Sequence, residues 1–92
     1  MEANVKKELD EIEMILIRWR NSYINLIIDN TDYYLCEEFM YEIMEQSYPH
    51  ICRLHEEKHI TYDEMNEFLE NRCYKLVKDL AKEVNKAKEK RG

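Results

Sequence analysis

Between Pro49 and Glu64 the chain gathers its three histidines, its one proline, one of its three cysteines and the pentapeptide His55-Glu56-Glu57-Lys58-His59. Residues three and four apart share one face of a helix, so Cys52, His55, Glu56 and His59 would fall within about a 100° arc. Two imidazoles at i and i+4 can share a transition metal, with a thiolate or carboxylate as third ligand. Cys52 also stands three residues from His55, within reach of a Cys–His pair. No orienting group or oxyanion donor accompanies that pair, so no catalytic residue is assigned.

The His55, Glu56, His59 spacing matches H-E-x-x-H and resembles the zincin metalloprotease motif. That resemblance implies zinc on His55 and His59, with water polarised by Glu56. The intervening Glu57-Lys58 is charged where zincins carry uncharged residues, and no downstream third ligand stands out, although Glu64, Glu67 and Glu70 are available. Read as Glu56-x-x-His59, the same residues resemble half of the ferritin-like di-iron motif. This implies iron, a second motif from another copy, and Glu38 or Glu42 as further ligands. Arg53 and His59 resemble the Arg–His pair of HEPN-type ribonucleases, with Leu54 at the position of the polar residue usual there. Residues 60–64 look like the end of an EF-hand loop. Arg53 stands where the first calcium-binding aspartate belongs and Lys58 where the turn glycine belongs, which excludes calcium. The alternative to a zinc or iron site makes His55, Glu56 and His59 a helix end and turn, with histidines against tyrosines and no cofactor. That alternative is the expectation adopted.

The elements that would position these residues are all helical. Val5, Leu9, Ile12, Leu16, Trp19, Tyr23 and Leu26 recur at alternating spacings of four and three, which predicts a first helix over 3–28. Its second half adds Met14, Ile15, Ile17, Ile24, Ile27 and Ile28, so this end is apolar on most sides and calls for partners on more than one. Arg18 and Arg20 are expected to snorkel or to pair with acids of the middle segment. Asp29-Asn30-Thr31 is a polar break with capping chemistry, and Asp32 sits in the first turn after it. A second helix follows over 32–58, with a seam of Cys36, Met40, Ile43, Ser47, Ile51, Leu54 and Lys58 that crosses Pro49. The proline either kinks this helix or opens a separate one, and the unbroken seam favours a kinked helix or two nearly collinear pieces. Thr61-x-x-Glu64 is a capping box and starts a third helix over 62–88, whose seam is Met65, Leu69, Cys73, Leu76, Leu80, Val84 and Ala87.

A second row on the middle helix, Tyr34, Tyr41, Tyr48 and His55 at intervals of seven, continues to Tyr62. It lies about 100° around from the seam. Such a row is either the wet margin of a wide core face or a contact surface. The candidate interaction residues are Trp19, Tyr23, Ile27, Tyr34, Tyr41 and Tyr48.

Ninety-two residues make one domain, and a single Gly and Pro leave little material for β-turns or a phosphate loop. Acids and bases number five and four in residues 1–28, twelve and two in 29–70, and three and eight in 71–92. The resulting charges are −1, −10 and +5. The acidic middle repels phosphates, which disfavours nucleic acid, and it suits a basic partner protein. The lysine-rich end is a solvated helix terminus that complements the macrodipole. Three cysteines cannot all pair within one chain, and their spacing fits no zinc finger. Reduced, structural thiols and a cytoplasmic location follow as expectations, and no apolar run is long enough for a membrane span. The sequence therefore predicts an all-α, up-down-up bundle of three long helices in one domain over 1–92. It is expected to associate as a homodimer and to act as an interaction or regulatory protein.

Overall fold

The computed structural model describes residues 1–27 and 34–91, the last by its backbone alone, and every regular element among them is helical. Helix α1 is Ala3–Leu26. Helix α2 covers residues 34–56 and α3 covers residues 62–91. The molecule is a rod of 49 × 18 × 18 Å. The expected break at Asp29-Asn30-Thr31, with Asp32 and Ile28, lies outside the described residues.

The core runs the length of the rod. Val5, Leu9, Ile12, Leu16 and Ile27 come from α1, while Leu35, Phe39, Ile43, Ile51 and Leu54 come from α2. Met65, Phe68, Leu69, Cys73, Leu76, Leu80 and Val84 come from α3. Three polar contacts tie α1 to α3. Arg72 forks onto Glu13, with Nε at 3.1 Å from Oε2 and Nη2 at 3.0 Å from Oε1, and it also donates to Asp10. Arg20 Nη1 lies 3.4 Å from Asp79 Oδ2. Arg20 thus pairs with an acid of α3 instead of the middle segment, and Arg18 is exposed. Arg72 and Asp79 follow each other along α3 in the same order as Glu13 and Arg20 along α1.

Helix α2 passes through Pro49 without ending. Its α-helical turns over Tyr34–Glu42 widen into a π-helical segment at Ile43–Ser47, then resume at Tyr48–Glu56. The Tyr48 N–H donates to the Ile43 carbonyl, five residues back. Pro49 has no N–H for the carbonyl of residue 45 and its ring would strike that carbonyl, so a widened turn immediately before it relieves the conflict. The widening also sets the core register. Leu35, Phe39, Ile43, Ser47 and Ile51 are all buried at steps of four. In an unbroken α-helix each such step rotates the side chain by about 40°, and the row would leave the core. The expected seam therefore slips by one residue: Cys36 and Met40 are half-buried, Leu35 and Phe39 take their places, and Lys58 is exposed. Helix α3 repeats the device, with Met65, Leu69 and Cys73 carried inward through a π-helical segment at Leu69–Tyr74. The Tyr74 hydroxyl reaches toward the Met44 sulfur at 3.9 Å, joining the two widened segments.

The α2–α3 connection is built by local chemistry. Helix α2 stops at Glu56 with Lys58 in the left-handed region, φ 65°. The Lys58 N–H donates to the His55 carbonyl at 3.0 Å, and the His59 N–H to the Leu54 carbonyl at 2.9 Å. This is a Schellman motif, closed by a lysine where glycine is usual. Ile60 is buried just beyond it. Thr61 then starts α3 with the expected capping box: the Glu64 N–H donates to Thr61 Oγ1 at 3.1 Å, and the Thr61 N–H to Glu64 Oε1 at 2.9 Å. The Thr61 backbone N–H foremost, and then the Thr61 side chain, hold the Glu64 carboxyl below its usual range.

Candidate interaction surface

The Schellman turn separates the residues of the H-E-x-x-H pentapeptide. His55 sits in the last turn of α2, and its Nδ1 lies 3.2 Å from the Ile60 carbonyl oxygen. Its ring meets Tyr62 edge-on at 6.0 Å between centroids. His59 stands beyond the helix end, where Nε2 lies 3.5 Å from Glu57 Oε2 at the surface. Glu56 is exposed on the last turn. Helical i, i+4 geometry thus does not extend from His55 to His59, and the described residues hold no group of three or more His, Cys, Asp or Glu side chains placed to share a metal ion.

His50, Arg53, Glu57 and His59 line an open cleft of about 430 Å³, faced by Glu2, which precedes α1, and by Glu8 of α1. Arg53 and His59 both line it, and the carboxylates of Glu2, Glu8 and Glu57 share the same cleft. His50 joins them because α2 lies alongside the start of α1, a placement that no local spacing announces. Cys52 is half-buried beside Tyr48, whose hydroxyl is pushed up foremost by a hydrogen bond with the Cys52 thiol. Cys73 is fully buried, and desolvation pushes its thiol up to about 12. Burial raises the Cys36 thiol as well, against a lowering by Lys88.

The tyrosine row divides along α2. Tyr34 and Tyr41 are exposed, Tyr41 by 68%, whereas Tyr48 is half-buried against the core. On α1, Trp19 and Tyr23 are also half-buried, Ile27 is turned into the core, and Leu26 faces outward at 50% exposure. Tyr23 packs against Phe39 at 5.4 Å between ring centroids, which joins α1 to α2. Trp19, Ser22, Tyr23 and Leu26 line a groove of about 460 Å³ whose other wall is Glu38 and Glu42 of α2. Burial first, and then the carboxylates of Glu42 and Glu38, raise the Tyr23 hydroxyl above its ordinary range. Farther along α1, Met14 and Ile15 are 51% and 45% exposed and share a second shallow cleft with Lys7, Asp10, Glu11 and Arg18.

These surfaces are open, and the acid–base pair of the first, His59 with Glu57, is exposed to solvent. They offer area, aromatic rings and negative charge, which are means of contact. Among the described residues no helix is long and apolar enough to cross a membrane. Comparison of the chain with protein-family models, with curated proteins and with solved structures finds no match.

Proposed function

We propose that the chain is a helical interaction protein that acts as a homo-oligomer, its three helices running up-down-up and its exposed apolar and tyrosine-bearing faces forming the contacts between copies. One observation carries this reading: on a rod only 18 Å across, Met14 and Ile15 share an open cleft of α1 with about half of each in solvent, and Tyr34, Tyr41 and Met44 are exposed along α2. Single exposed apolar residues are ordinary, but clusters on two neighbouring helices of so small a domain mark a contact surface. A chain of this length buries only about 60–65% of its unfolded surface, so association also supplies stability that one copy lacks. The ion pairs binding Arg20 and Arg72 to Asp79, Glu13 and Asp10 support the same direction for α1 and α3.

Light scattering coupled to size exclusion tests the reading. Particles of two or more 11.4 kDa chains are expected, and Met14→Lys with Ile15→Lys should shift the mass toward one chain without loss of helical circular dichroism. A single-chain mass for the unaltered protein up to high concentration overturns it.

A further inference from the structure

We propose that the groove between α1 and α2 is a docking site for a basic amphipathic helix of a partner protein, which lays its apolar stripe on Trp19, Tyr23 and Leu26 and its lysines or arginines against Glu38 and Glu42. The inference rests on the reading above only in taking the chain to be an interaction protein, and does not require the homo-oligomer.

The groove has the dimensions and chemistry of a helix site. Trp19 to Leu26 spans about 10 Å of α1, two helical turns, which matches apolar anchors at i, i+3 or i+4, and i+7 on a bound helix. The floor is aromatic and aliphatic, and half of Leu26 stands in solvent. Glu38 and Glu42 lie one turn apart along the opposite wall, with exposed Glu45 beyond them. No Lys or Arg lines the groove. The ion pairs among the described residues draw Arg20 to Asp79 and Arg72 to Asp10 and Glu13, and none engages Glu38 or Glu42. The Tyr23 hydroxyl, raised first by burial, is raised further by Glu42 and Glu38, which places both carboxylates close to the groove floor. Cations over Trp19 or Tyr23 would gain from the ring faces as well.

Charge also selects among occupants. Two copies of an acidic groove repel each other when brought face to face. Most of the chain's exposed lysines, Lys75, Lys78, Lys82, Lys86, Lys88 and Lys90, lie on α3, with Lys6 and Lys7 at the start of α1 and Lys58 in the α2–α3 turn, and none of them lines the groove. Seating α3 of one copy in the groove of the next would be a head-to-tail contact that propagates as a filament unless the rotation closes. Phosphate-bearing partners meet like charge. A separate cationic helix satisfies both the floor and the wall.

The test uses a fluorescein-labelled peptide of about 14 residues, four helical turns, made of leucine and lysine with the leucines on one face. Anisotropy titrations are run against the full chain, with the oligomeric mass of each sample measured by light scattering. Saturable binding is expected, and it should weaken as salt is raised from about 50 to about 300 mM. Glu38→Lys with Glu42→Lys should weaken it about tenfold or more, and Leu26→Ala should also weaken it, each variant keeping its helical spectrum. The milder Glu38→Gln with Glu42→Gln should weaken it less, and it tests the wall if the reversal fails to fold. Glu67→Lys with Glu70→Lys, the same net change on exposed positions of α3, should leave binding within about twofold. A peptide of equal composition with scattered leucines should bind far less.

Absent binding, binding indifferent to both the Glu38/Glu42 and Leu26 changes, or equal weakening by the α3 control overturns the proposal. If Glu38→Lys with Glu42→Lys alters the oligomeric mass while the peptide is indifferent, the groove's occupant is a second copy, and the proposal is overturned in that direction. A single-chain mass with groove-dependent peptide binding sinks the homo-oligomer and leaves the docking site standing. An oligomer without groove-dependent binding does the reverse.

Discussion

Replacing Lys58, an exposed residue, by glycine should leave the protein more stable than replacing it by alanine. Lys58 closes the Schellman turn at φ 65°. A side chain with a Cβ costs about 1–2 kcal/mol in that region. Glycine avoids this cost but has more freedom to lose from the unfolded chain, about 0.5–1 kcal/mol. The balance is a gain of about 0.5–1 kcal/mol, or about 2–8 °C in Tm for a domain of this size. The lysine charge confounds the comparison, because a cation near a helix C-terminus is itself favourable by about 0.3–1 kcal/mol. Lys58→Ala removes the same charge and keeps the Cβ, so the glycine-minus-alanine difference isolates the backbone. Urea and thermal melts followed by circular dichroism measure it, at one fixed protein concentration because association raises apparent stability. Lys58→Val should be worse than alanine, since a branched Cβ suits this region least. Alanine equal to or more stable than glycine would refute the left-handed turn and the helix end drawn from it.

Further outcomes follow from contacts at the helix ends, in the core and between α1 and α3. Thr61→Ala should cost about 1 kcal/mol through loss of the N-cap. The Glu64 carboxyl, lowered in the fold, adds stability that is present above its unfolded pKa and fades as pH falls through the lower folded value; the gap between the parent and Glu64→Gln in acid urea melts should shrink accordingly. Cys73 should lag far behind Cys36 and Cys52 in alkylation of the native protein, since its buried thiol is pushed up to about 12. Because that folded value is raised, the thiol's contribution is complete below the unfolded pKa and is lost as pH climbs from about 9 toward 12, so alkaline urea melts of Cys73→Ala should show a flatter decline than the parent. Arg72→Lys, which keeps the charge but loses the fork onto Glu13 and the stacking over Phe68 at 4.9 Å, should cost about 0.5–1.5 kcal/mol, modest because these groups are partly solvated.

Features whose cause is local were legible in the sequence. Thr61 and Glu64 cap α3 because the two residues satisfy each other's backbone across three positions. The helical class follows from scarce turn residues and apolar periodicity. What the spacing could not convey was a change of phase. Phe39, among the most buried side chains, lies off a seam that assumes one constant helical pitch, because the turn ahead of Pro49 widens and rotates everything before it. The Lys58 turn lacks the glycine that would have signalled it. Arg20 finds Asp79 at a separation of 59 residues, beyond any local pattern. His55 and His59 kept their sequence spacing and lost their shared face for the same reason: the helix between them ends.

The surface shows the same logic in its sharpest form, at the end of α1. A heptad reading holds one face only if the helix supercoils; a straight α-helix drifts by about 20° per heptad. From Val5 to Leu26 is three heptads, so the drift reaches about 60°, more than half the angle between adjacent residues. The core position accordingly passes from Leu26 to Ile27, and Leu26 turns outward beside Trp19 and Tyr23. A leucine counted as core thus becomes groove floor, and an isoleucine counted as contact becomes core. Glu38 and Glu42 become part of a groove with that exchange. On the sequence they are two of twelve acids in a solvated stretch; beside a displaced leucine and two aromatic rings they form the charged wall of a site that a cationic helix can fill.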